Sequence, residues 1–289
     1  MMILQQLGQI LEEVVSKEAY TWLQNTLTKL QDSEVLESLL NRSFTSARRK
    51  LGDINIRPSI PYIVTPCGDM PISHWLAGDL GRIMLMSAAL YWHPEKTKQF
   101  FAEFFKLSDE REKQAIILSL SLVDAKGDYK PYVVDSCRTN NLMLFSSIAL
   151  HNPYAGHFFN EQEFNQLVIK SLFLDLNIAH IIFLKQRSNA ELSRICEDYV
   201  VERIHANREI PATIWLALAP YAAQQGIDLL LKFITSDDTL QQKYCALALM
   251  GCLDDTLSGE KSSMLDKLQT ILQIATTTEL KTYLAKLSA

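Results

Sequence analysis

The sequence predicts an all-α fold, an irregular α-solenoid of helical hairpins of the HEAT or armadillo kind, with no significant β-sheet. Three observations predict it. Apolar residues recur at three- and four-residue steps along nearly the whole chain, the period of an amphipathic helix and not the alternation of a strand. The 289 residues include only ten Gly and nine Pro, fewer than turn-rich β folds need. Capping signals punctuate the apolar runs at intervals of roughly 10 to 18 residues.

The elements follow in order. Ile10, Leu11, Val14 and Val15 share a helix face, and Tyr20, Leu23, Leu27 and Leu30 carry the pattern into a second helix. Ser33 is placed to cap a third helix through Leu36, Leu39 and Leu40. These form an N-terminal helical unit over residues 1–44. Residues 45–76 break the pattern, with four of the nine prolines (Pro58, Pro61, Pro66, Pro71) and with Gly52 and Gly68. Proline lacks the N–H and clashes with the preceding turn, so this stretch reads as a connector. Its Ile54, Ile56, Ile60, Tyr62, Ile63 and Val64 make it too apolar for a free linker, so it packs along the helices.

The main helical-repeat body spans residues 77–289. A helix over Ala77 to Tyr91 precedes Pro94, which opens the next in its first turn. Phe100, Phe101, Phe104 and Phe105 form an aromatic face there. Ser108 starts another helix, with Asp109 and Glu110 at its positive end. Gly127 and Pro131 mark a break. Asn160 with Glu163, Ser188 with Glu191 and Thr276 with Glu279 read as capping boxes. Pro211 suits a first helical turn, Gly226 separates two helices, and Ser236-Asp237-Asp238 starts one running through Leu247 and Leu249. Gly226 to Leu253 resembles one HEAT-type repeat. The total is about fifteen helices.

Composition narrows the function classes. Lys and Arg number 28 against 33 Asp and Glu, a net charge of -5, which argues against a dedicated nucleic-acid binder. The basic group Arg42, Arg48, Arg49 and Lys50 is too short to argue otherwise. The longest apolar windows, such as Ile83 to Trp92, fall short of the roughly 20 residues of a membrane span. Met1 to Lys17 lacks a basic start and is interrupted by Gln and Glu, so it does not read as a signal peptide. Five scattered Cys (67, 137, 196, 245, 252) show no metal-ligand or redox spacing and read as reduced structural thiols. The chain is expected to be cytoplasmic, with a peripheral place at the inner membrane as a variant of that expectation. Phosphate-binding Gly loops, H-E-x-x-H and G-x-S-x-G are missing from the sequence.

The informative region runs from Tyr129 to Tyr221, where polar groups are embedded among apolar ones. Arg138-Thr139-Asn140-Asn141 lies within a helical pattern, although its short polar side chains disfavour a helix interior. In His151-Asn152-Pro153-Tyr154, Pro153 ends the helix and Asn152 is pushed toward extended backbone. Asn165 and Gln166 follow, with Lys170 on the same face as Gln166. Arg187-Ser188-Asn189 turns into a helix bearing the ridge Arg194, Asp198 and Glu202, with Arg203 beside it. Lys170 is expected to pair with Glu163 or Glu202, or to have a lowered pKa if buried. His151, His157 and His180 with Asp175 match no ligand spacing, so neither a metal nor a cofactor is expected.

Three readings follow. The set can be a structural network, because an unpaired buried polar group costs about 1–3 kcal/mol. It can line a ligand or partner groove. It can be catalytic, but Asn and Gln do not transfer protons near neutral pH. The catalytic version is an anion pocket of Arg138, Lys170, Arg187 and Arg203 acting on a phosphorylated or carboxylated intermediate. The candidate binding set is Arg138, Asn140, Asn152, Tyr154, Asn165, Gln166, Lys170, Arg187, Asn189, Glu202 and Arg203; no catalytic residue is assigned.

At these residues the chain resembles the EboA-domain family, over about residues 130–220. The match rests on the ordered set Arg138-Thr139-Asn140, Asn152-Pro153-Tyr154, Asn165-Gln166 with Lys170, Arg187-x-Asn189 and Glu202-Arg203. Phe164, Lys185, Val201 and Ala155 stand where the family favours Trp, Asp, His and Pro. The lost acid and His weaken any acid–base role at those positions. The resemblance implies a cytoplasmic component of a bacterial gene set for metabolite traffic. That set includes a prenyltransferase-like membrane protein, isomerase-like and synthase-like proteins and a metal-dependent hydrolase. It is associated with export of natural-product precursors, including sunscreen pigment monomers in cyanobacteria. The implied role is a helical adaptor or carrier for a natural-product or isoprenoid-type precursor. The implied partners are proteins of the same set and a hydrophobic small molecule.

Overall fold

The helical spacing becomes fifteen α-helices among the described residues, with one two-stranded antiparallel hairpin. The structure is a computed structural model that describes residues 2–254 apart from Ser33. The Ser33 cap and the Thr276–Glu279 capping box lie outside the described residues. The chain is all-α, and it divides into two compact units, Met1–Glu163 and Phe164–Ala289.

The first unit begins with α1 (Met2–Glu12), α2 (Lys17–Leu30) and α3 (Leu36–Leu51). Ser16 caps α2 by accepting the Ala19 N–H. Helix α3 runs past residue 45, because Ala47 and Leu51 extend the buried face of Leu40 and Phe44 and the first proline comes only at Pro58. The strap that follows is pinned antiparallel to the chain before α4 (Ala77–Trp92). Ala77 donates to the Ile54 carbonyl at 2.8 Å, and Ile56 to that of Trp75 at 3.1 Å. Within it, β1 (Tyr62–Thr65) pairs with β2 (Gly68–Pro71), Ile63 opposite Met70. Gly68 closes the turn at φ +131°, a region open to glycine and costly for other residues.

Helix α4 is the axis of this unit. Apart from Asp79, residues from Ala77 to Leu90 are buried around its whole circumference, as expected of a helix packed on all sides. Helices α1, α2, α3, α5 (Pro94–Leu107) and α6 (Glu110–Val123) surround it. The approach of α3 depends on Gly78, where a Cβ would stand 2.8 Å from Arg48 Cα and 3.0 Å from the Gly52 carbonyl. Arg82 is buried on α4, donates to the Phe44 carbonyl at 3.0 Å and reaches Glu112 at 3.5 Å. Asp109, not Ser108, caps α6, in a full capping box with Glu112. The Ser108 hydroxyl instead donates back to Phe104 and closes α5. The unit continues with α7 (Lys130–Ser136), α8 (Leu142–Ala149) and α9 (Pro153–Phe158). The division between units falls within α10 (Glu161–Phe173), which the Asn160–Glu163 capping box opens as expected.

The second unit contains a 3-10 turn (Ile178–His180), α11 (Leu184–Arg187), α12 (Ala190–His205), α13 (Trp215–Leu218), α14 (Gln224–Ile234) and α15 (Thr239–Asp254). Trp215 is fully buried, donates to Gln241 at 2.6 Å and meets the Phe233 ring. Three details differ from expectation. Asn189 caps α12 by accepting the Leu192 N–H, because the Ser188 hydroxyl turns back to Leu184. Gly226 lies inside α14, where its missing side chain makes room for the buried Glu197 carboxylate. Pro211 precedes a 3-10 turn (Ala212–Ile214) and not an α-helix. Helices α14 and α15 pack against each other. Among the described residues, no helix is long and apolar enough to cross a membrane.

Two glycines should respond oppositely to a methyl group. Gly78→Ala is expected to destabilise by about 1–3 kcal/mol, since backbone must move. Gly8→Ala meets nothing closer than 3.6 Å and is expected to stabilise by about 0.5–1 kcal/mol. Urea denaturation of both variants measures the contrast.

Candidate functional site

The eleven candidate residues fall into separate places. Arg138 and Asn140 sit in the turn between α7 and α8, not in a helix interior. Thr139 and Asn141 create that turn, because their short side chains bond backbone N–H groups of Asn141 and Leu144. Arg138 is exposed and pairs with Asp135. Pro153 opens α9 where it was expected only to end the helix before it, and Asn152 is the cap in extended backbone.

Asn152 and Tyr154 belong to a buried network. The Asn152 Oδ1 accepts from Ser121 at 2.7 Å and from the Tyr154 N–H, and its Nδ2 donates to the Ser147 carbonyl. The Tyr154 hydroxyl donates to Asp124 at 2.6 Å. Asp124 also accepts the N–H groups of Asp128 and Tyr129. Burial, and then the bond to Asp124, push the Tyr154 phenol well above its usual range. Burial, followed by the Asp124 charge, lifts Tyr129 and Cys67 to about 12 each.

In the second unit Asn165 and Asn189 clasp each other through two amide bonds of 3.1 and 2.9 Å. Arg187 lies over the Phe164 ring, 4.9 Å from its centroid. Gln166 is exposed and Lys170 half-buried on α10. Glu202 pairs with Arg208. Arg203 donates to the Glu209 carbonyl at 2.6 Å and covers Tyr199. Thus Asn165, Asn189 and Arg187 form one group, while Arg187 and Arg203 of the expected anion pocket take separate partners. Glu163 pairs with Lys130. A cleft of about 740 Å³ adjoins Arg203, Arg208 and Asn207 in this unit.

A second concavity lies wholly in the first unit and, His151 apart, uses residues not among the candidates above. This cleft of about 430 Å³ is within the usual size of small-molecule sites. Helix α6 supplies Leu118, α8 supplies Leu142 and Met143, and Leu150 just after α8 joins Trp75 in that apolar wall. Its polar members come in two pairs. Arg111 holds Asp79 through two bonds of 3.2 and 3.1 Å and lies 3.7 Å from Asp53. The rings of His74 and His151 lie 4.9 Å apart. His151 has φ +58°, a strained conformation for a non-glycine residue of the kind that clusters at functional sites. The Trp75 Nε1 is buried with no acceptor within the described protein. His151 was considered with His157, His180 and Asp175 for a metal, yet it meets His74, while His157 meets Phe158. Among the described residues no group of three or more His, Cys, Asp or Glu is placed to hold a metal ion. The signal for this cleft was weak in sequence, because His74 and Trp75 close a proline-rich strap and Arg111 sits in a helix first turn.

The two kinds of polar residue should separate in stability measurements. Asn165→Ala and Tyr154→Phe are expected to cost about 1–3 kcal/mol each, since the first strands the half-buried Asn189 amide and the second the buried Asp124 carboxylate. Arg138→Ala should leave the melting temperature unchanged. The tyrosines also predict a pH dependence. A phenol whose folded pKa is raised stabilises the fold fully below its unfolded value, and that contribution is lost as pH rises. Stability should therefore fall from about pH 10 toward the Tyr129 value of about 12. Tyr154→Phe should flatten this loss in alkaline denaturation curves.

The comparisons with known proteins enter here. No curated protein and no solved structure matches the chain. A family model described as metabolite traffic protein EboA matches residues 3–219, which include every residue of the cleft and all eleven candidate positions, and the chain belongs to the EboA family.

Proposed function

We propose that this EboA-family protein is a non-catalytic carrier that binds a small amphipathic metabolite in the first-unit cleft. The observation that carries this reading is the cleft's composition. An apolar wall of Leu118, Leu142, Met143 and Leu150 faces the same space as the Arg111–Asp79 pair and the His74–His151 pair. An apolar body with a polar head is the chemistry such a lining receives. Arg111 already faces two carboxylates, so the cluster recognises by hydrogen bonding more than by net charge. In this reading the protein works in the cytoplasm and passes its cargo to a membrane component of its gene set.

Native mass spectrometry of protein purified from its own host tests the idea. A small molecule should accompany the wild type. Ser146→Trp projects an indole into the cleft from a half-buried position on α8 and should abolish that species without lowering the melting temperature. A wild type with no bound mass, or a ligand retained by Ser146→Trp, sinks the proposal.

A further inference from the structure

We infer that the cleft of the second unit is a binding site for a small organic cation, an ammonium group carried on an apolar body. This stands independently of the first-unit cleft. The second-unit cleft has about 740 Å³, within the size range of small-molecule sites. Three helices end at it. Phe173 closes α10, Ile204 lies in the last turn of α12, and Phe233 lies in that of α14. Beyond α10 and α12, Asp175 at φ +56° and Asn207 at φ +50° take the left-handed conformation that stops a helix. The bonds that close these ends run from the Leu176 N–H to the Ser171 carbonyl and from the Arg208 N–H to the Arg203 carbonyl. A helix carries partial negative charge at its C-terminal end, so three such ends favour a cation. Helix α15 presents its positive start to the same cleft, and there Asp238 accepts the Leu240 and Gln241 N–H groups.

The side chains agree in sign. Asp175, Glu209 and Asp238 line the cleft against Arg203 and Arg208. Both arginines are already engaged. Arg203 donates from Nε to the Glu209 carbonyl and lies over the Tyr199 ring, and Arg208 pairs with Glu202. The exposed carboxylates of Asp175 and Glu209 take no hydrogen bond or ion pair from any described residue. The uncommitted charge is therefore negative, and a carboxylate or phosphate would meet it as a like charge. An apolar body has its own contacts. Phe173 is 66% exposed and Leu240 54% exposed, and both line the cleft. The Phe173 ring is held edge-on by Tyr199, and an aromatic face further favours an ammonium group.

Titration of the full chain with phenethylamine, phenethyl alcohol and phenylacetate, followed by ligand-observed NMR, tests this. The probes share a phenyl body and carry a positive, a neutral and a negative head at neutral pH. The amine should bind saturably below about 10 mM, the affinity expected of so small a ligand. The alcohol should bind about threefold more weakly, and the carboxylate about tenfold or more. Asp175→Asn with Glu209→Gln should lower the amine affinity by about threefold or more, to that of the alcohol. Asparagine tolerates the left-handed backbone at position 175, so an unchanged melting temperature should confirm a folded variant. Phe173→Ala should weaken the amine and the alcohol alike. Ser146→Trp, in the first-unit cleft, should leave amine binding as it is. Absence of saturable amine binding, carboxylate binding as tight as the amine's, or wild-type amine affinity in the double variant would overturn the inference. So would loss of amine binding in Ser146→Trp, because that would assign the amine to the other cleft.

Discussion

The first unit depends on how it satisfies one buried carboxylate. Removing Asp124 from water is costly unless its oxygens are bonded. Three donors reach it: the N–H groups of Asp128 and Tyr129 ahead of α7, and the Tyr154 hydroxyl on α9. Asn152 extends the set to Ser121 on α6 and to Ser147 on α8. Four successive helices are thereby fixed by one connected group of bonds. Gly127 belongs to the same solution, since a side chain there would stand 2.8 Å from the Phe158 ring. His151 lies between Leu150, whose N–H bonds Ser146, and the anchored Asn152. Both neighbours are held, so the chain sustains a left-handed residue that would cost of order 1–3 kcal/mol in isolation. That conformation sets the His151 ring against His74.

The cleft then follows from helix order. Helix α4 is packed against α6, and α6 against α8. The entry to α4 carries Trp75, Leu76 and Asp79 into the cleft wall, while α6 brings Arg111 and Leu118. Gly78 lets α3 come close enough for the Arg48–Asp53 pair to form beside Arg111. Packing and polar pairing are therefore two consequences of the same helix spacing.

The all-α fold was legible because its signals are local: apolar period, proline at helix starts, and the Asn160–Glu163 box. What was less legible required knowing which of two adjacent residues wins a cap. Ser108 and Ser188 each return their hydroxyl to the carbonyl four residues earlier, and Asp109 and Asn189 take the caps instead. The length of α3 was hidden by the prolines after it. Gly226 was read as a breaker, yet its role is to clear space for Glu197 from a distant part of the chain. The cleft was least legible. Its residues come from separate helices and from a strap, and no spacing in sequence brings His74 to His151.

The amide set shows how an ordered polar pattern is engaged within the fold. Asn165 and Asn189 each spend an amide oxygen and an amide nitrogen on the other. Asn189 further caps α12 and bonds the Arg187 carbonyl. Asn152 is similarly engaged on both sides of its amide. A ligand reaching these groups would have to displace a bond that costs about 1–3 kcal/mol to leave unmade. The side chains around the cleft differ in kind: two imidazoles in tilted contact, a guanidinium oriented by two carboxylates, and a buried indole N–H. His151 is held by its neighbour Asn152, while Trp75, Asp79 and Arg111 come from the entry to α4 and from α6.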